Sequence, residues 1–216
     1  MCDVIPFLCP GEKKMMRRPW TLSLILAAPC FVFAFYIGRP WRWFSWHPLL
    51  MSLAFVAAAG SGIMVKRRGG RVNTITHGYF MIGAFVLAMG GWYVIYEQKK
   101  MLGKPHNTSW HSWQGVVACI GYGLGGAVGL AALHPDFGAW RTSKRIRLLH
   151  KLASRASTAA ALAAIATGYS KLGDTFTAVL VLVMLMGLAK AISLFENPAG
   201  TQQQQQAAAS LLPTSV

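Results

Sequence analysis

The sequence predicts an all-α integral membrane protein, a six-helix bundle in which helices two to five form a four-helix core. Three observations predict it. Hydrophobic residues make up 54% of the 216-residue chain and charged residues 12%, with a mean hydropathy of +0.42, so charge is too sparse to cover a water-facing surface. Apolar runs of roughly 18 to 23 residues recur, the length a helix needs to cross about 30 Å of hydrocarbon. Basic residues gather in short hydrophilic pieces between these runs, as topogenic charges do.

In chain order, residues 1–19 are polar and basic and read as a cytoplasmic segment. No small-residue cleavage site follows the first apolar run, so that run is expected to remain as a helix. Spans follow near 20–37, 47–65, 72–96, 110–133, 148–169 and 175–195, making 20–195 one membrane domain. Thirteen basic residues fall on one side: Lys13, Lys14, Arg17, Arg18, Lys66, Arg67, Arg68, Arg71, Arg141, Lys144, Arg145, Arg147 and Lys151. Six fall on the other: Arg39, Arg42, Lys99, Lys100, Lys104 and Lys171. The positive-inside bias puts both termini in the cytoplasm of a multi-pass protein, in an endomembrane (vesicle, vacuole or ER) or the plasma membrane. Trp41, Trp43, Phe44 and Trp46, with Trp110 and Trp113, then lie at outer helix ends as an interfacial belt. Residues 196–216, with glutamine at 202–206, read as a disordered cytoplasmic tail.

The net charge of +15 would suit nucleic acid, but its confinement to loops is explained by topology, and no nucleic acid partner is expected. The four cysteines, including Cys30 and Cys119 inside apolar spans, have neither disulfide nor CxxC spacing.

Four of the six histidines open successive spans: His47 from outside, His77 from inside, His111 from outside and His150 from inside. They divide into an outer and an inner pair. Ionisable side chains at membrane depth are costly and usually functional. Residues sharing each histidine's helix face are mostly small: Ala54, Ala58 and Ser61; Ala84, Ala88 and Gly91; Gly115, Ala118 and Gly125; Ser154, Ser157, Ala161 and Ala164. Such stripes, like Gly121, Gly125 and Gly129, also serve close helix packing. Packing needs no histidines, whereas a flat macrocycle needs an axial imidazole on each side and little bulk around it. No acidic or thiolate partner stands near the histidines, leaving two nitrogens per layer, which suits a porphyrin iron. The expected cofactors are two haem b groups, and with both axial positions filled, electron transfer is favoured over oxygen chemistry. The competing reading is a haem-free small membrane transporter or scaffold, whose site would lie near the midplane rather than near the faces.

Ser45-Trp46-His47-Pro48-Leu49-Leu50-Met51, Thr76-His77-Gly78, the segment from Gly103 through Trp110-His111-Ser112-Trp113 to Gly115, and Leu148-Leu149-His150-Lys151 together resemble the cytochrome b561 family. The resemblance covers roughly residues 20–195 and is closest to the compact cytochrome b561 domain-containing members. It implies the axial pairs His47/His111 and His77/His150, which the topology also gives. It further implies cytoplasmic ascorbate as donor, and monodehydroascorbate or a ferric chelate as acceptor on the opposite side. The activity implied is that of a transmembrane ascorbate-dependent oxidoreductase, surrounded by lipid, with a homodimer among the assemblies it allows. By offset from the inner histidines, Arg71 and Lys144 fall where plant members bind ascorbate, while Ile75 stands where the family often has a second lysine.

Around these positions, Arg145 and Arg147 are further cations for ascorbate or a haem propionate, with the topogenic role as the plainer reading. Arg155, five residues beyond His150 within an apolar span, is expected to meet a propionate or to snorkel. His106 and Asn107, just before His111, are candidates to contact the acceptor or to carry its proton. His134, followed by Pro135, reads as a helix terminus.

Overall fold

The computed structural model describes residues 40–172. The expected first and sixth spans, at 20–37 and 175–195, and both terminal segments lie outside the described residues. Four long helices occupy the rest: α1 (Trp43–Arg67), α2 (Arg71–Met101), α3 (Trp110–Ala131) and α4 (Lys144–Leu172). They correspond to the second to fifth expected spans. Three run further than hydropathy suggested, α1 over Trp43–Arg67, α2 on to Met101 and α4 back to Lys144. Hydropathy marks where a helix sits in hydrocarbon, while backbone hydrogen bonding continues through polar flanks such as Glu97–Lys100. By length and composition α1, α2 and α3 are able to cross a membrane. The 29-residue α4 is long enough; its first turns, however, carry Lys144, Arg145, Arg147, Lys151 and Arg155.

Helices α1 and α2 are joined by a tight turn that requires glycine. Gly69 (φ 70°) and Gly70 (φ 84°) are left-handed, a conformation that costs any residue with a Cβ. The Asn73 amide then ties the turn to the new helix by donating to the Gly69 carbonyl at 2.6 Å. Ser109 caps α3, its hydroxyl accepting from the Ser112 N–H while the Ser112 hydroxyl accepts from the Ser109 N–H at 3.0 Å.

On α2 and α3 the packing is inverted relative to a water-soluble bundle, whereas α1 buries Leu49, Phe55, Val56, Met64 and Val65. Ala54, Ala84, Ala88 and Ala118 are fully buried, while Tyr79, Val86, Ile120 and Leu124 are more than half exposed. Hydrocarbon is as good a solvent for Leu as a protein core, so bulk turns outward and small residues bring the backbones together. The buried stripe is the histidine-bearing face of each helix: Ser61, Ala88, Tyr122, Ser157 and Ala161 all lie in it.

The α3–α4 seam shows that packing use. A Cβ on Gly121 would overlap the Ser157 hydroxyl and stand 2.7 Å from Ser157 Cβ. Ser157 Oγ is already committed to the Ala153 carbonyl at 2.8 Å. One and two turns on, Gly125 faces Ser154 and Gly129 faces His150, each at 3.7 Å from a built Cβ. Gly121→Ala is therefore expected to destabilise the bundle by about 1–3 kcal/mol through overpacking, measured as a lower thermal midpoint in detergent. An unchanged midpoint would show that the seam is looser than its geometry.

Candidate functional site

His47 is the second residue of the α-helical stretch Trp46–Ser52, and its Nδ1 lies 2.9 Å from the Gly91 carbonyl of α2. His111, the second residue of α3, places its Nδ1 2.8 Å from the Ala164 carbonyl of α4. His77 places its Nδ1 3.0 Å from the Gly62 carbonyl of α1. A carbonyl oxygen only accepts, so in each ring Nδ1 carries the proton and donates, and Nε2 keeps its lone pair for a ligand. His150 is the exception. Its ring lies against Gly129, and its buried Nδ1 has no hydrogen-bond partner among the described residues.

These contacts are reciprocal within each antiparallel helix pair. His47 bonds the residue 14 beyond His77, and His77 bonds the residue 15 beyond His47; His111 bonds the residue 14 beyond His150. At 1.5 Å per residue the two histidine levels stand about 21 Å apart along the bundle. The extra residue on α1 has a visible cause. Leu53–Ala58 is a π-helical segment, and one wider turn lets 15 residues complete the four turns that 14 complete elsewhere.

Small side chains fill the middle, with the Phe55 and Tyr122 rings in edge contact at 5.1 Å. Ser52 and Tyr169 hydroxyls meet at 2.8 Å between α1 and α4, and Tyr122 and Thr158 hydroxyls meet at 3.2 Å between α3 and α4. The histidine levels are thus separated by a packed, buried layer.

The His47 and His111 rings are 6.1 Å apart between centroids with planes at 88°. Two imidazoles on opposite sides of one metal, each about 2 Å from it and with its centre about 1 Å beyond the nitrogen, would be separated by about 6 Å. Rotation of one plane against the other leaves that spacing unchanged. Among the described residues no group of three or more His, Cys, Asp or Glu side chains converges, and a pair of imidazoles at this spacing is compatible with the two axial positions of a porphyrin iron. Gly168 makes room for the His111 ring: a Cβ there would lie 2.7 Å from His111 Cε1 and 3.1 Å from Nδ1.

The other expected site residues lie at the two ends of the bundle. Arg71 is bound to Asp136 in the α3–α4 loop, Nε to one carboxylate oxygen at 2.6 Å and Nη2 to the other at 2.8 Å. These hydrogen bonds hold the Asp136 carboxyl below its usual range, so its charge persists until the pH falls under that range. Lys144 and Arg145 are exposed at the start of α4, and the Arg147 guanidinium donates to the Arg141 carbonyl. Arg155 is on an exposed stretch of α4, about 140° around the axis from His150. At the opposite end the exposed His106 stacks on Tyr96 at 4.6 Å, and Tyr96 stacks on Trp92 at 5.3 Å. The adjacent Asn107 takes a left-handed backbone (φ 53°), which asparagine tolerates better than most residues. His134 lies three residues past the end of α3, its ring stacked on Phe137 and its Nδ1 accepting from the Asp136 N–H.

Sequence reasoning missed Asp136, the carbonyls of Gly62, Gly91 and Ala164, and the role of Gly168. Gly91 and Ala164 carried a signal, as small residues on the His77 and His150 faces.

A family model described as eukaryotic cytochrome b561 matches residues 46–177, more than half of the chain. The chain belongs to the cytochrome b561 family. Cytochromes b561 bind haem b in general, and the four histidines lie within the matched region. The chain is 30% identical over 131 residues to the transmembrane reductase CYB561D2 of Bos taurus, covering 55% of this chain and 58% of that protein. The same figures hold for CYB561D2 of Homo sapiens. It is 28% identical over 92 residues to the transmembrane ascorbate-dependent reductase CYB561 of Mus musculus, covering 41% of this chain and 37% of that protein. The chain thus spans less than two thirds of the length of these curated relatives.

Proposed function

We propose that this cytochrome b561 is a transmembrane oxidoreductase carrying single electrons from ascorbate on the cytoplasmic side to monodehydroascorbate or ferric iron on the other. The reading is carried by one observation, the two histidine levels about 21 Å apart, three of whose four rings are oriented by carbonyls of the neighbouring helix. His47 and His111 would hold an outer haem b, His77 and His150 an inner one. Bound there, the two groups supply one-electron chemistry in two short steps in place of one long one.

The protein's own part is orientation, insulation and charge. Carbonyl-anchored imidazoles keep Nε2 directed at the iron position and fix the tautomer. The buried layer of alanines, Phe55, Tyr122 and Ile165 between the levels packs the middle of the bundle. Arg71 and Lys144 at the basic end attract an anionic donor, and Arg155 is assigned to a propionate or the interface. His106 and Asn107 at the opposite end offer the acceptor a proton donor and hydrogen bonds, with His106 steadied by Tyr96. The positive-inside bias orients the basic end to the cytoplasm and gives both termini a cytoplasmic location within a six-span domain over 20–195. The names of the relatives support a reductase that uses ascorbate.

Purified protein in vesicles with a trapped ferric chelate tests this. Added ascorbate is expected to produce a reduced b-type spectrum and then ferrous chelate inside. A colourless chain, or one pigment per chain at full loading, would overturn the proposal.

A further inference from the structure

Glu97 and Asp136 are the acidic residues among those described, and Asp136 stands at the basic end. Lys66, Arg67, Arg68, Arg71, Arg141, Lys144, Arg145, Arg147 and Lys151 all occupy that end, yet its carboxylate takes Arg71 in a two-pronged contact across 65 residues of chain. The loop that delivers it is built for the purpose. Arg141 Nη1 donates to the Asp136 carbonyl at 2.5 Å, and the Asp136 N–H donates to His134 Nδ1 at 3.3 Å. The Ala139 and Trp140 N–H groups close the turn onto the Ala131 and Ala132 carbonyls at 3.1 and 2.9 Å. Gly138 fits beneath, where a Cβ would stand 2.5 Å from the His134 nitrogen and 2.6 Å from its oxygen.

We infer that Asp136 is an internal competitor for the anionic donor, occupying the edge of Arg71 that the donor takes. The inference rests on the reading of Arg71 as a donor contact. A guanidinium presents parallel N–H groups to paired oxygens, and the enolate oxygen and neighbouring hydroxyl oxygen of the ascorbate monoanion accept from the same fork as a carboxylate. The contact is also exchangeable. The Arg71 and Asp136 side chains are 54% and 39% exposed, and an ion pair so open to water is weak enough for a solute anion to displace. Asp136 therefore sets the donor concentration at which the basic end is engaged, without closing it.

Steady-state ascorbate oxidation by the haem-loaded full chain tests this. Asp136→Asn keeps the shape and removes the charge, and is expected to lower the KM for ascorbate roughly two- to fivefold with kcat unchanged. Arg71→Gln is expected to raise KM, and adding Asp136→Asn to it should have no further effect. A higher KM or lower kcat in Asp136→Asn would make Asp136 an orienting partner of Arg71 and overturn the inference. An equal fall in KM in the Arg71→Gln background would make it a general charge effect and overturn the inference as well. If Arg71→Gln raises KM while Asp136→Asn is silent, competition fails and the donor contact stands. If Arg71→Gln leaves KM unchanged, the donor contact fails and competition with it. Should Asp136→Asn lose haem, Asp136→Ser carries the same comparison.

Discussion

His77→Ala and His150→Ala are each expected to yield a chain with about one haem in place of two, the remaining spectrum being that of the outer pair. The reason is geometric. His77 is oriented by Gly62 near the inner end, while His47 and His111 face each other at 6.1 Å and take their carbonyls from Gly91 and Ala164. Some 21 Å of helix and a layer of buried alanines lie between the levels, so removal of one ring leaves the other pair's contacts intact. Under the proposed function, transfer across the membrane should fall to background, because the remaining pair would be stranded from the donor side. Haem per chain and the reduced-minus-oxidised spectrum measure this. Equal loss of both haems in every single variant would mean that the pairs are not independent.

Gly168→Ala is expected to strip the outer haem selectively. The added methyl would stand 2.7 Å from His111 Cε1, closer than side-chain carbons approach, so the ring must move. Movement breaks the 2.8 Å bond from Nδ1 to the Ala164 carbonyl, and loss of such a supporting bond typically weakens binding at a metal site by about 10–100-fold. The inner pair, four turns away, should keep its spectrum. Gly126→Ala is the control, since nothing lies within 4 Å of a Cβ there. Outer-haem content in Gly168→Ala equal to that of the control would show that His111 has slack the geometry does not reveal.

The histidines were legible because the membrane simplifies the reading. A ring that is costly in hydrocarbon stands out at the mouth of an apolar span, and its face follows from the helical repeat. The small residues on those faces were legible too, although their use was double: Gly121 and Gly125 pack α3 against α4 at Ser157 and Ser154, while Gly129 meets His150 itself. The substrate side was less legible. Arg71 and Lys144 were singled out by their offset from the inner histidines, but an offset carries no information about what a flexible cation touches. Asp136 lies in a loop whose shape comes from Gly138, Arg141 and His134, none of which marks a site by itself.

The sequence by itself determined that the described chain is helical and apolar enough to cross a membrane, which residues face inward, and where the four histidines stand along their spans. Those features are local, set by side-chain polarity and a repeat of 3.6 residues. Only the tertiary structure decided which carbonyl orients each ring, why α1 needs a π-turn to stay in step with its neighbours, and that Arg71 is already paired. A backbone carbonyl has no letter in the sequence, and a contact across 65 residues depends on how four helices come to rest against one another.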